Sequence, residues 1–128
     1  MKVFLGGTCR GYNWREDLIK NLKCEYFNPL LKEGEEWTKE HEIKENIEKE
    51  NADYNLYVIT SDMIGVYSIA EVVDDSNKKP KRTIFCYIKE GFDKSQIKLL
   101  NATSNIIKNN GAYVFNNLDE VADFLNRS

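Results

Sequence analysis

The sequence predicts an α/β fold: a five-stranded, mostly parallel sheet, doubly wound, with helices on both faces. Three observations predict it. Short apolar runs alternate with longer segments of helical periodicity along the whole chain. The run Leu56–Thr60, LYVIT, is apolar on both faces, as a central parallel strand must be. Strict alternation of strand and helix, joined by right-handed crossovers, keeps the strands parallel.

The elements follow in order. Val3–Leu5 is a buried strand that ends in a tight Gly6-Gly7 turn. After the loop Thr8–Asn13, Trp14, Leu18, Ile19 and Leu22 repeat at helical spacing, and Asn13 suits an N-cap. Cys24–Asn28 reads as a second strand, stopped by Pro29. The charge-dense segment Thr38–Asn51 reads as a mostly solvated helix, with His41 exposed on it. LYVIT is followed by the loop Ser61–Tyr67 and a helix over Ser68–Ser76. Asn77–Arg82 reads as a solvated basic turn far from the ligand end of the sheet. Thr83–Ile88 is a strand, Lys94–Lys108 a helix closed by Gly111, and Ala112–Phe115 a last short strand. Asn117 caps a final helix whose Leu118, Val121, Ala122, Phe124 and Leu125 face inward.

Composition narrows the function classes. The 128 residues suit one domain spanning 1–128, large enough for a core without staples. A net charge of −3 gives no global attraction to nucleic acid or to an anionic membrane. Three dispersed cysteines and a single histidine offer no zinc spacing and no disulfide framework, which fits a reducing cytoplasm. Cys24 and Cys86 sit in apolar runs and read as small core residues; Cys9, in a polar loop, is the one to suspect as reactive. The N-terminal apolar run is too short for a signal peptide, and no membrane span follows. These features predict a cytoplasmic protein that needs no metal and no cofactor.

In a doubly wound sheet, ligands sit beyond the carboxyl ends of the strands, near the switch in strand order. Three segments fall there: Gly6–Trp14, Thr60–Glu71 and the loop around Tyr87–Phe92. The first, GGTCRGYNWR, lets the backbone approach a ligand closely at Gly6, Gly7 and Thr8. Its spacing is not that of a dinucleotide-binding loop. Arg10 and Arg15 are placed to meet an anion, and Tyr12 and Trp14 to stack on a base, although Trp14 equally suits the core. The second, TSDMIGVYSIAE, carries Asp62 and, one turn into a helix, Glu71. Ser68 and Glu71 also have the spacing of a capping box, which is the structural alternative for Glu71. Asp53 precedes the central strand and either caps a helix or opens the strand.

Together, VFLGGT, Trp14-Arg15, Tyr26-Phe27-Asn28-Pro29, Trp37 and GVYSIAE resemble the nucleoside 2-deoxyribosyltransferase-like family, in order and over almost the whole chain. The resemblance implies a flavodoxin-like fold and cleavage or exchange of the N-glycosidic bond of a nucleoside or nucleoside monophosphate. It places the nucleophile at Glu71 and contacts to base or sugar at Gly6, Gly7 and Thr8; Tyr12, Trp14, Arg15, Asn28, Gly65 and Ser68 are the further candidate substrate contacts, and Asp62 is the candidate acid that protonates the leaving base. Gly65 stands where the family has an acidic residue or a phosphate-binding serine, so the resemblance specifies the bond more firmly than the sugar. It also implies a homodimer or larger assembly, with the apolar face of the Ser68–Ser76 helix as a contact. Two other readings fit the scaffold: a non-catalytic nucleotide sensor and an NAD-cleaving glycohydrolase.

Overall fold

The computed structural model describes residues 1–128. Five strands, β1 (Lys2–Gly7), β2 (Glu25–Phe27), β3 (Tyr54–Ile59), β4 (Thr83–Tyr87) and β5 (Tyr113–Phe115), form one sheet of order β2-β1-β3-β4-β5. Every pairing is parallel. This is the doubly wound, flavodoxin-like arrangement, and the strand order reverses between β1 and β3.

Helices α1 (Trp14–Ile19) and α5 (Leu118–Arg127) cover one face. There Val3, Leu5, Leu56, Val58, Ile84 and Cys86 of the strands pack against Trp14, Leu18, Val121 and Leu125. Helices α3 (Tyr67–Lys78) and α4 (Lys94–Asn109) cover the other through Val72 and Ile107 on Tyr57, Ile59 and Phe85. Alternate residues of β3 therefore serve opposite cores, which is why LYVIT carries no polar face.

Helix α2 (Lys39–Asn51) has no buried residue, as its charge density predicts. It is fastened by polar contacts instead. Lys2 pairs with Glu48 at 2.8 Å, and Arg82 Nη2 donates to Glu50 O at 2.8 Å. The basic run is thus not wholly solvated: Lys78 closes α3, Pro80–Arg82 make a 3₁₀ turn, and Arg82 ties down the last turn of α2. His41 is also held, closing a capping box with Thr38 and stacking on Trp37 at 5.8 Å.

Gly6 and Gly7 pair within β1 and form no turn, and three of the other boundaries that differ from the sequence expectation bear on the site. α1 stops at Ile19, and Lys20–Leu22 close in turns instead of a further helical turn. β3 starts early, at Tyr54, because Asp53 exchanges backbone and side-chain bonds with Lys2 across the sheet. α3 starts at Tyr67 with Val66 as its N-cap and no side-chain cap, so Ser68 lies inside the first turn and the Ser68–Glu71 capping box does not form. The apolar face of that helix is spent on the core, where Val72 is buried and Ile69 and Val73 pack. The exposed apolar side chains are those of the preceding loop, Ile64 and Val66, and Tyr67.

Candidate functional site

The carboxyl end of β1 passes unusually close to β3. Gly7 has φ +115°, and a Cβ there would lie 2.0 Å from Val58 O. Only glycine fits both constraints. Thr8 then continues the pairing by side chain as well as backbone. Its N–H donates to Val58 O at 2.9 Å, and its Oγ1 accepts from Thr60 N at 3.1 Å.

Arg15 and Trp14 turn inward and hold this loop from behind. The Arg15 Nε donates to Leu5 O at 2.9 Å and its Nη1 to Thr8 O at 2.8 Å. Trp14 Nε1 donates to the same Thr8 carbonyl at 2.9 Å, and the guanidinium stacks on the indole at 4.4 Å. Both side chains are buried. Burial draws the Arg15 guanidinium below its ordinary pKa. Trp14 is therefore a core residue and is not free to stack on a base. Arg15 shapes the loop with the hydrogen bonds it was expected to offer an anion.

The structure divides the predicted site residues among three cavities. On the α2/α3 side of the sheet, a cavity of about 530 Å³ is lined by Gly6, Gly7, Arg15, Ser68 and Glu71. An adjoining cavity of about 300 Å³ holds Thr8, Arg10 and Gly65 and shares Ser68 with the first. Tyr12 and Asp62 lie apart, in a cleft of about 840 Å³ between α1 and α5. Asp62 and Glu71 therefore line different cavities. The Asp62 carboxylate accepts the Tyr12 N–H at 2.9 Å. The Tyr12 phenol is turned to Asp17, and that hydrogen bond lifts its pKa to about 12. Asn28 is a loop former: its Oδ1 accepts from Leu30 N at 3.0 Å, shaping the turn that presents Pro29, Leu30 and Leu31 to the Glu71 cavity.

Two residues of this cavity stand outside the sequence expectation. Glu45 and Lys49 lie one helical turn apart on α2 and both line it. Lys49 Nζ sits 2.6 Å from Glu71 Oε2, and the two side chains are 20% and 23% exposed, shielded yet reachable from the cavity. Burial raises the Glu45 carboxyl above its ordinary range. Glu71 reinforces that shift, and Lys49 and Arg15 oppose it. Tyr57 forms part of the wall, its hydroxyl donating to Asp75; burial and that carboxylate hold its phenol well above the ordinary value. Trp37, half exposed, and Leu31 complete an apolar wall opposite the acids.

No group of three or more His, Cys, Asp or Glu side chains is arranged to hold a metal. Cys86 is buried and its thiol is pushed up to about 12, while Cys9 stands exposed at the cavity edge, its Sγ 3.2 Å from Gly7 O. No helix is long and apolar enough to cross a membrane.

No curated protein matches the chain. A family model described as "Nucleoside 2-deoxyribosyltransferase like" matches residues 1–91, which carry β1 through β4 and every residue of the Glu71 cavity. That span is well over half of the chain, and the chain belongs to the nucleoside 2-deoxyribosyltransferase-like family.

Proposed function

We propose that the chain, as a single domain, cleaves or exchanges the N-glycosidic bond of a nucleoside or nucleoside monophosphate in the Glu71 cavity. The observation that carries this reading is the trio on its floor: Glu71 held by Lys49, and Glu45 beside them with its ionisation suppressed by burial. A carboxylate held by an ammonium, beside a carboxyl whose ionisation burial disfavours, suits one nucleophile and one proton donor.

The reaction then runs as a retaining displacement. A Glu71 oxygen bonds to the anomeric carbon as the N-glycosidic bond breaks, and the bonding pair leaves with the base nitrogen. Glu45 delivers its proton to the departing base. A glycosyl ester on Glu71 results, and either water or a second base takes the sugar and frees the carboxylate. The apolar wall of Leu31 and Trp37 suits the face of a purine or pyrimidine. The adjoining cavity, with Arg10 and Ser68, suits the 5′ substituent. No step asks for a metal or a cofactor.

The test is base release from a panel of nucleosides, their 5′-monophosphates and NAD. Wild type is expected to release free base, and Glu71→Gln to lose that activity by about 10³-fold or more. Equal release by both proteins would remove Glu71 as nucleophile. Ligand binding without release would favour a nucleotide sensor.

We also infer a homo-oligomer closed through the exposed Ile64, Val66 and Tyr67 beside the cavity. Sedimentation of wild type against Ile64→Ser/Val66→Ser checks it. A monomeric wild type would end that inference.

A further inference from the structure

The Glu71 cavity contains an ammonium that the displacement itself does not use. Lys49 reaches from α2 to Glu71 Oε2 on α3 at 2.6 Å. Its Nζ also lies 5.3 Å from the Phe4 ring centroid on the floor of the sheet. One turn earlier on the same helix, Glu45 faces the same cavity. We propose that Lys49 is a positioning residue: its ammonium aims the Glu71 carboxylate at the cavity and is the counter-charge that Glu45, one turn away, shares. The proposal rests on the roles given above to those two acids.

The geometry supports it in three ways. The contact is an ion pair of 2.6 Å between two side chains only about one-fifth exposed, where screening by solvent is reduced. It engages one carboxylate oxygen of Glu71 and leaves the other for attack. It also bridges two helices, and α2 has no buried side chain of its own to fix its place over the sheet. Lys49 therefore connects the helix that carries the proton donor to the helix that carries the nucleophile.

The charges around the pair fix the sign of its effect. Glu45 meets Arg15 of α1 and Lys49 of α2, which favour its ionised form, and Glu71 of α3, which disfavours it. From β3, Tyr57 is turned to Asp75 and keeps its proton; Tyr67 and Cys9 complete the titratable lining. With Lys49 removed, Glu45 loses a cation and keeps its carboxylate neighbour. It then holds its proton to higher pH.

The experiment compares wild type with Lys49→Met, Lys49→Gln and Lys49→Arg. The first readout needs no turnover: carbon-13 NMR of labelled glutamate carboxyls, with the Glu45 signal assigned by Glu45→Gln. Lys49→Met is expected to move the Glu45 midpoint up by about one pH unit, and Lys49→Arg to bring it back toward wild type. Lys49→Gln keeps a hydrogen-bonding side chain without charge, and reads the same shift should the Met variant fail to fold. The second readout is base release. The neutral variants are expected to lose kcat by about tenfold or more with little change in KM, and their alkaline limb to move to higher pH. An unmoved Glu45 midpoint and alkaline limb in a folded neutral variant would overturn the proposal, whatever happens to stability. A shifted midpoint in a protein whose wild type releases no base would remove the catalytic reading alone and leave the coupling of Lys49 to Glu45 in place.

Discussion

Asp62 Oδ2 accepts the backbone N–H of Tyr12 at 2.9 Å, and the Asp62 carboxylate occupies the space that a Cβ on Gly11 would need. The loop after β1 and the loop after β3 are joined by this bond at the mouth of the α1/α5 cleft. Asp62→Ala is expected to destabilise the fold by about 1–2 kcal/mol, because a charged acceptor and a loop closure are lost together. Base release by the folded fraction is expected to stay within about threefold of wild type. Denaturant unfolding and a rate assay on the same preparation check both. A loss as deep as that of Glu71→Gln would return Asp62 to the chemistry.

Glu45 gives a prediction with opposite signs for activity and stability. Its folded pKa lies above the ordinary carboxylate value, so protonation of this group favours the folded state. That contribution is full below the unfolded value, near about pH 4, and is lost as pH rises through the raised folded value. Glu45→Gln is neutral throughout. It is expected to melt about 2–4 °C above wild type at neutral pH, with the difference closing toward about pH 4. The same variant loses the proton donor, so base release falls by about 10²-fold or more and the alkaline limb disappears. Thermal melts and rates across pH measure the two together.

Much of this was legible in the sequence, and the omissions have physical causes. The five strands and four of the five helices follow from hydrophobic period, because β3 and β4 serve cores on both sides and those helices pack by one face; α2, which buries nothing, follows from its charge-dense run between two strands. The place of Glu71 after the central strand marks it only as an acid near the ligand end of the sheet, and the family resemblance is what gives it a candidate role. Glu45 and Lys49 were not legible, because α2 buries nothing and its many charges read alike. Only the fold shows which of them face Glu71, although their i,i+4 spacing marked them as one face. Asp62 shows a related limit: the sequence puts it at the tip of β3, and only the fold shows that it lines the α1/α5 cleft. Trp14 and Arg15 were legible as special, and only the fold shows that both turn inward, Arg15 while still lining the Glu71 cavity. A tryptophan–arginine pair after a glycine pair suits a ligand or the core, and here the Leu5 and Thr8 carbonyls claim the guanidinium.

Arg10 is exposed, lines the cavity that adjoins Glu71 and forms no ion pair with another side chain. If the 5′ substituent lies there, Arg10 distinguishes a phosphate from a hydroxyl. Arg10→Ala is expected to raise KM for a nucleoside 5′-monophosphate by about five- to tenfold and to leave KM for the nucleoside unchanged, as one solvated charge contact of about 1 kcal/mol requires. The monophosphate effect is expected to shrink with added salt. Parallel changes for both substrates would place the phosphate elsewhere.

Arg15 supports the glycine end of β1 from inside, so it is expected to fail in a manner unlike a binding residue. Its fork donates in fixed geometry to the Leu5 and Thr8 carbonyls while its plane lies on Trp14. Lysine keeps the charge and cannot reproduce the fork or the stacking. Arg15→Lys therefore cannot keep both the Leu5 and the Thr8 carbonyl bonds, and a lost Thr8 bond leaves that carbonyl to Trp14 alone, at a cost of about 2 kcal/mol. Thr8 also accepts from Thr60 through its hydroxyl, so the change passes to the switch point between β1 and β3. Unfolding by denaturant measures the stability loss, and hydrogen exchange at Thr8 and Thr60 is expected to speed up before that of the β4 amides. A variant of wild-type stability with weakened ligand binding would mean instead that the guanidinium serves the ligand and the carbonyl bonds are incidental.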